Sequence, residues 1–198
     1  MRTLRTWLRA LLRTDDAAAV VEFALILPVM LFIYIGAMEA SMLIIMDRKV
    51  QSVAGALGDL VARADQKLPS TLMQDYFTAA NGIMTAFPTK DMKQTITAVN
   101  VDSDGATLVA WSREYSGGGY KDGEFVPGEM IVGTRYPAGR PYPLPNETIE
   151  ISKGQMVIAA EANYPAYTPF FGIVFKHPVN LYRSSFLLPR FGGTITLN

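Results

Sequence analysis

The chain contains no cysteine and a single histidine, His177. Those two shortages remove disulfides, thiolate chemistry, sulfur-ligated metals and any multi-histidine metal centre, while leaving the redox state of its compartment open. Neither sign of charge is in excess, because 18 Lys and Arg offset 18 Asp and Glu. The global basic field used by nucleic-acid binders is therefore missing, and no nucleic-acid partner is expected. Internal repeats and low-complexity tracts are absent too. The glycine-rich "SGGGYKDG" lacks the Lys-Ser/Thr ending of a phosphate loop and reads as a flexible segment. "DSDG", residues 102–105, lacks the rest of an EF-hand loop and reads as a hairpin turn. With the carboxylates scattered, the expectation is no metal, no cofactor and no enzymatic activity. A membrane-tethered enzyme would need a polar cleft around Tyr120, Glu124 or His177.

One kind of residue is abundant in one place. From Ala17 to Met46 nearly every residue is apolar or small, with Glu22, Glu39 and Ser41 the exceptions, and Phe23 to Met38 carries no charge. That run exceeds the roughly 20 residues needed to cross hydrocarbon. Before it, "MRTLRTWLRALLRT" places Arg2, Arg5, Arg9 and Arg13 three, four and four residues apart along one helical face. It reads as a basic amphipathic helix on the cytoplasmic leaflet or as a basic leader that sets orientation. Either way the charge pattern predicts a cytoplasmic N-terminus and an exported C-terminal domain. A cleaved secretory signal competes, but the apolar run is longer than its usual core and the small-residue cleavage site is poorly formed.

Glu22 is the anomaly. A carboxylate costs roughly 2.5–3.5 kcal/mol at the centre of a membrane helix, and less near the interface, so it calls for a compensating partner. Without one it snorkels to water or pairs with Arg13. Pro28, inside the same run, removes one backbone hydrogen bond and predicts a helix kink or a tolerated bend.

Apolar residues continue at helical spacing beyond the membrane segment, through Val50, Val53, Ala54, Leu57, Leu60, Val61 and Ala64. The helix is thus expected to emerge and lay an apolar stripe on a folded domain, with Gly55 and Gly58 allowing a bend or close packing. A second helix is expected from Thr71 to about Phe87, opened by a Thr71/Gln74 capping box and closed by Pro88. Thr95 to Val101 and Ala106 to Tyr115 read as a hairpin, and "QMVIAAEANYPAY" and "VNLYRSSFLLPRF" as further strands. Residues 117–146 read as a Gly-, Pro- and Tyr-rich loop with a short strand near Met130–Val132. Together these give an α+β fold, a long N-terminal transmembrane helix running into a small exported domain with an antiparallel sheet.

The stretch "AAAVVEFALILPVMLF" resembles a type IV prepilin processing site and, more narrowly, the TadE-like minor pseudopilins of tight-adherence (Flp) pilus systems. "GATLVAWSREY", "GQMVIAAEANYPAYTP" and "LLPRFGG" resemble that family's exported domain. The resemblance implies cleavage by a prepilin peptidase between Ala17 and Ala18, with Ala17 standing where the family pattern has Gly. Glu22, together with Phe23, then becomes an assembly and recognition element at the fifth mature position. It also implies a leader over 1–17, a transmembrane helix over 18–46 and an exported domain over 47–198. The implied partners are the inner membrane, the peptidase, other pilin or pseudopilin subunits and the assembly platform. Cleavage would free an α-amine one helical turn from Glu22, which offers the missing cation. The rival reading is an uncleaved bitopic adaptor whose exported domain binds a partner.

Overall fold

The computed structural model describes residues 15–84, 87–121, 124–169, 172 and 176–198. The chain divides into two compact units, Met1–Leu43 with Pro169–His177 and Ile44–Thr168 with Pro178–Asn198. A single helix, α1, runs over Asp15–Ala62 and carries Pro28 inside it. In the first unit its residues from Ala19 to Tyr34 are all exposed, although most are large and apolar.

The second unit takes up α1 where its composition turns amphipathic. Met46, Val50, Val53, Ala54, Leu57 and Val61 are fully or almost fully buried. Their three- and four-residue spacing puts them on one face, which is the expected apolar stripe. Thereafter come β1 (Lys67–Leu68), α2 (Ser70–Asn81), β2 (Lys93–Val101), β3 (Thr107–Ser116), β4 (Gly119–Lys121), β5 (Glu124–Val126) and β6 (Glu129–Val132). A short helix α3 (Asn146–Ser152) precedes β7 (Met156–Tyr167), β8 (Val179–Leu187) and β9 (Thr196–Leu197). The main sheet has the order β6-β3-β2-β7-β8 and is antiparallel throughout.

Both faces of this sheet are covered, and by different means. Directly paired residues share a face, so the pairs Gln94–Tyr115 and Ile96–Ala160 put these four residues together. That face receives α1 and α2. Phe77 of α2 stacks on Tyr115 with ring centroids 5.2 Å apart, and Gln94 donates to Phe77 O at 3.4 Å. A Cβ added at Gly58 of α1 would stand 2.6 Å from Leu187 Cδ1 and 3.1 Å from the Ala160 Cβ. Glycine there lets helix and sheet approach. On the opposite face Val99, Val101, Val109, Val157 and Ala159 are buried under Tyr142 and Leu144, with Tyr136, Ile149 and Phe186 packed beside them.

Polar contacts tie α1 to the strand that follows the sheet's last crossing. Arg183 pairs with Asp47 at 2.6 Å. Asp59 pairs with Arg63 at 2.7 Å and with Arg190. The hydrogen bond from Arg63, reinforced by the charge of Arg190, holds the Asp59 carboxyl below its ordinary 3.8. The ion pairs of Asp59 therefore persist until the pH falls below that ordinary value.

Three expectations need correction. The second helix ends at Asn81 and tightens into a 3-10 turn over Gly82–Met84, so it stops short of Phe87. Gly82 propagates a helix poorly, and the Asn81 amide is drawn to Gly117 O at 3.3 Å. Its start has no side-chain cap at all. The Ser70 hydroxyl instead bonds Asn198 O at 2.5 Å, beside the parallel pairing of β1 with β9. Finally, the run Gly117–Gly119 is fixed rather than flexible. Gly118 has φ 75, and a Cβ on it would lie 2.7 Å from Tyr115 Oη and 2.8 Å from Gly128 N. Its carbonyl accepts from the Thr89 hydroxyl.

Candidate functional site

The N-terminal part of α1 continues as one helix through Pro28. Ala17 and Ala18 lie in its first turn. Glu22 is exposed, Phe23 is 62% exposed, and both sit among uncovered apolar side chains. The helix therefore presents one carboxylate, a turn beyond the Ala17–Ala18 bond, on a surface otherwise suited to hydrocarbon or to a neighbouring apolar helix. Arg2, Arg5, Arg9 and Arg13 lie outside the described residues. His177 is exposed, and the side chains of Tyr120 and Glu124 are outside the described set.

A second constellation, in the sheet unit, was not anticipated. Beyond its apolar half, the face under the 133–145 segment turns polar. One cross-strand row reads Glu114, Thr95, Glu161, Ser184, and the next Ser116, Lys93, Asn163, Tyr182. Glu161 is 3% exposed. Its Oε1 accepts three phenolic O–H groups, from Tyr136 at 3.1 Å, Tyr142 at 3.2 Å and Tyr182. Tyr136 and Tyr142 also pack on each other with centroids 4.6 Å apart. The Arg135 guanidinium lies over the rings of Tyr136 and Tyr182, at 5.2 Å and 5.7 Å. Burial, and then the nearby Glu161 charge, pushes the phenols of Tyr136 and Tyr142 upward. For Tyr182 burial is again first, followed by its hydrogen bond to Glu161.

A groove of about 290 Å³ lies elsewhere in the same unit, between Asn100 and Val101, the turn at Gly154 and Gln155, and the C-terminal loop at Pro189 and Gly193. No ionisable side chain lines it, so it offers neither acid nor base. Among the described residues no group of three or more His, Cys, Asp or Glu is placed to hold a metal.

The exposed apolar helix is the part of the molecule that has known counterparts. Residues 17–56 match the family model of TadE-like proteins. The TadE match begins at Ala17, includes Glu22, Phe23 and Pro28, and ends inside the stripe that packs on the sheet. It is consistent with a TadE-like protein of a pilus system. No curated protein and no solved structure matches the chain. The same helix is long and apolar enough to be a candidate membrane span.

Sequence reasoning missed the Glu161 cluster, although a signal was present. A lone carboxylate inside "MVIAAEANY" is as anomalous as Glu22 in its helix.

Proposed function

We propose that the chain is a minor pilin-like structural subunit of a tight-adherence pilus system, cut by a prepilin peptidase between Ala17 and Ala18. Its leader, with Arg2, Arg5, Arg9 and Arg13, stays on the cytoplasmic side of the inner membrane. Residues 18–46 cross the bilayer, and residues 47–198 form the exported domain that meets other pilin or pseudopilin subunits and the assembly platform. The role is assembly or anchoring rather than catalysis. The observation that carries this reading is the TadE match over residues 17–56, which coincides with the uncovered apolar helix bearing Glu22.

The physical logic runs through that carboxylate. After the cut, the new α-amine stands four residues before Glu22, within one helical turn. An ammonium in the same or an adjacent subunit compensates an acid at the rim of hydrocarbon, where it is otherwise costly. The demand for that pairing fixes the axial register between neighbouring helices. The test is the mass of the protein extracted from membranes of cells with and without the peptidase. The expected species begins at Ala18 only where the peptidase is present. An intact leader on protein recovered from assembled pili overturns the reading and leaves the uncleaved adaptor in its place.

A further inference from the structure

We propose that the groove between the β2–β7 end of the sheet and the C-terminal loop binds a neutral N-acetylated sugar. The inference rests on the sheet unit alone and is independent of the membrane helix. With about 290 Å³ to fill, the groove is at the small end of ligand sites, so it takes a single ring of a larger molecule. Its polar side chains are Asn100, Gln155 and Thr194, and none of them ionises. A charged ligand would find no counter-charge there. Arg190, inside the loop, is engaged elsewhere, its guanidinium with Asp59 and its backbone N–H with Ala62 O at 2.8 Å.

What remains is matched to an acetamido group, which carries one N–H donor, one carbonyl acceptor and one methyl. The side-chain oxygens of the exposed Asn100 and Gln155 are acceptors for the N–H. Gly193 and Thr194 line the opposite wall, and their backbone N–H groups donate to no backbone carbonyl of the described residues, which leaves them open to a ligand carbonyl. Val101 and Met156, 3% and 4% exposed, give the methyl an apolar floor. A ligand with hydroxyls alone would leave that floor unmatched. Gly154, Gly192 and Gly193 hold φ 75, 69 and 86, and a Cβ on any of them meets nothing within 4 Å. The walls are thus bare of side chains where a ring would lie. Phe191, 72% exposed in the same loop, supplies an aromatic face at the rim on which the C–H face of a sugar stacks. Both walls are set before a ligand arrives. On one side Val101 N–H donates to Gln155 O at 3.0 Å and Gly154 N–H to Val101 O at 2.9 Å. On the other, Ile195 N–H donates to Met156 Sδ at 3.3 Å and the Trp111 indole N–H to Ile195 O at 2.7 Å. Little ordering is left for binding to do.

The experiment uses the full chain in a polyoxyethylene detergent, which carries no sugar. Triacetylchitotriose is the probe, and cellotriose, the same backbone without acetamido groups, is the control. Trp111 is the reporter, through its bond to the residue after Thr194, in a Trp7→Phe background that leaves it the single tryptophan. The probe should change its emission saturably, with half-saturation at about 1 mM, the affinity that contacts to one small ring reach. Saturation-transfer NMR should place the strongest transfer on an acetamido methyl. Phe191→Ala and Gln155→Ala, both at exposed positions, should each raise the half-saturation about five-fold or more and leave Tm unchanged. The absence of a saturable response up to about 20 mM probe overturns the proposal. So does an equal response to cellotriose, which removes the acetamido group from the recognition, and so does wild-type affinity in both variants, which puts the sugar somewhere other than this groove.

Discussion

At the scale of single residues the decisive chemistry is the burial of phenols around one acid. Tyr142 is 3% exposed, and burial, with the Glu161 charge second, raises its phenol above the ordinary 10.0. Tyr182 and Tyr136 shift the same way. Because the folded values lie above the unfolded one, the unfolded chain releases protons first as the solution turns alkaline. The stabilisation is complete below about pH 10 and declines as the pH rises past it. Chemical denaturation at pH 7 and at pH 10.5 should therefore give a lower unfolding free energy at the higher pH. Tyr142→Phe should lose about 1.5–3 kcal/mol at pH 7, the usual worth of a hydrogen bond to a charged group, and show a shallower alkaline decline. Equal stability at both pH values in the wild type contradicts this account. Legibility at this scale was uneven. Glu22 stood out because its surroundings are apolar by local sequence alone. Glu161 is as anomalous in its local sequence, but its partners Tyr136, Tyr142 and Tyr182 come from a segment without periodicity and from the neighbouring strand, so its role was not legible. Only the fold brings them together.

At the scale of elements, the contact between α1 and the sheet is set by where side chains are left out. Gly58 and Gly55 look alike in sequence, and both weaken a helix. The structure separates them. A Cβ at Gly58 meets Leu187 and Ala160, whereas one at Gly55 meets nothing within 4 Å. Gly55→Ala should therefore gain about 0.5–1 kcal/mol from helix propensity, and Gly58→Val should lose about 1–3 kcal/mol by overpacking. For a unit of this size the corresponding shifts are about 2–4 °C per kcal/mol, upward for the first and downward for the second, in thermal melts followed by circular dichroism. The reverse order would mean that helix and sheet do not pack as described. The helical stripe and the main strands were readable because each keeps its own period over many residues. The boundaries of α2, the helix α3 and the pairing of β1 with β9 were not. The α2 boundaries and the β1–β9 pairing depend on the Asn81–Gly117 contact and on the C-terminus reaching back to Ser70 and Gln66, contacts between residues distant in sequence.

At the scale of the whole molecule, the two anomalous acids divide the work. Glu161 is an interior acid whose consequences are local to the sheet unit, while Glu22 is exposed on a helix whose first part the described residues leave uncovered. For the proposed subunit this means that removing the Glu22 charge should spare folding and membrane entry and harm only association. Glu22→Ala deletes a group that opposes insertion by at most a few kcal/mol, so the variant should fractionate with membranes at least as completely as the wild type. Its sheet unit should melt at the same temperature. Surface pili, counted by electron microscopy or recovered by shearing, should fall sharply because the new α-amine of a processed neighbour loses its counter-charge. Glu22→Gln, which keeps shape and hydrogen bonding but not charge, should behave like Glu22→Ala, and Glu22→Asp should retain part of the wild-type level. Normal piliation in Glu22→Gln refutes charge pairing even if Glu22→Ala is defective, since that pattern assigns the role to side-chain volume. Loss of Glu22→Ala from the membrane fraction refutes the placement of Glu22 at the hydrocarbon rim, because an acid there cannot be what holds the helix in.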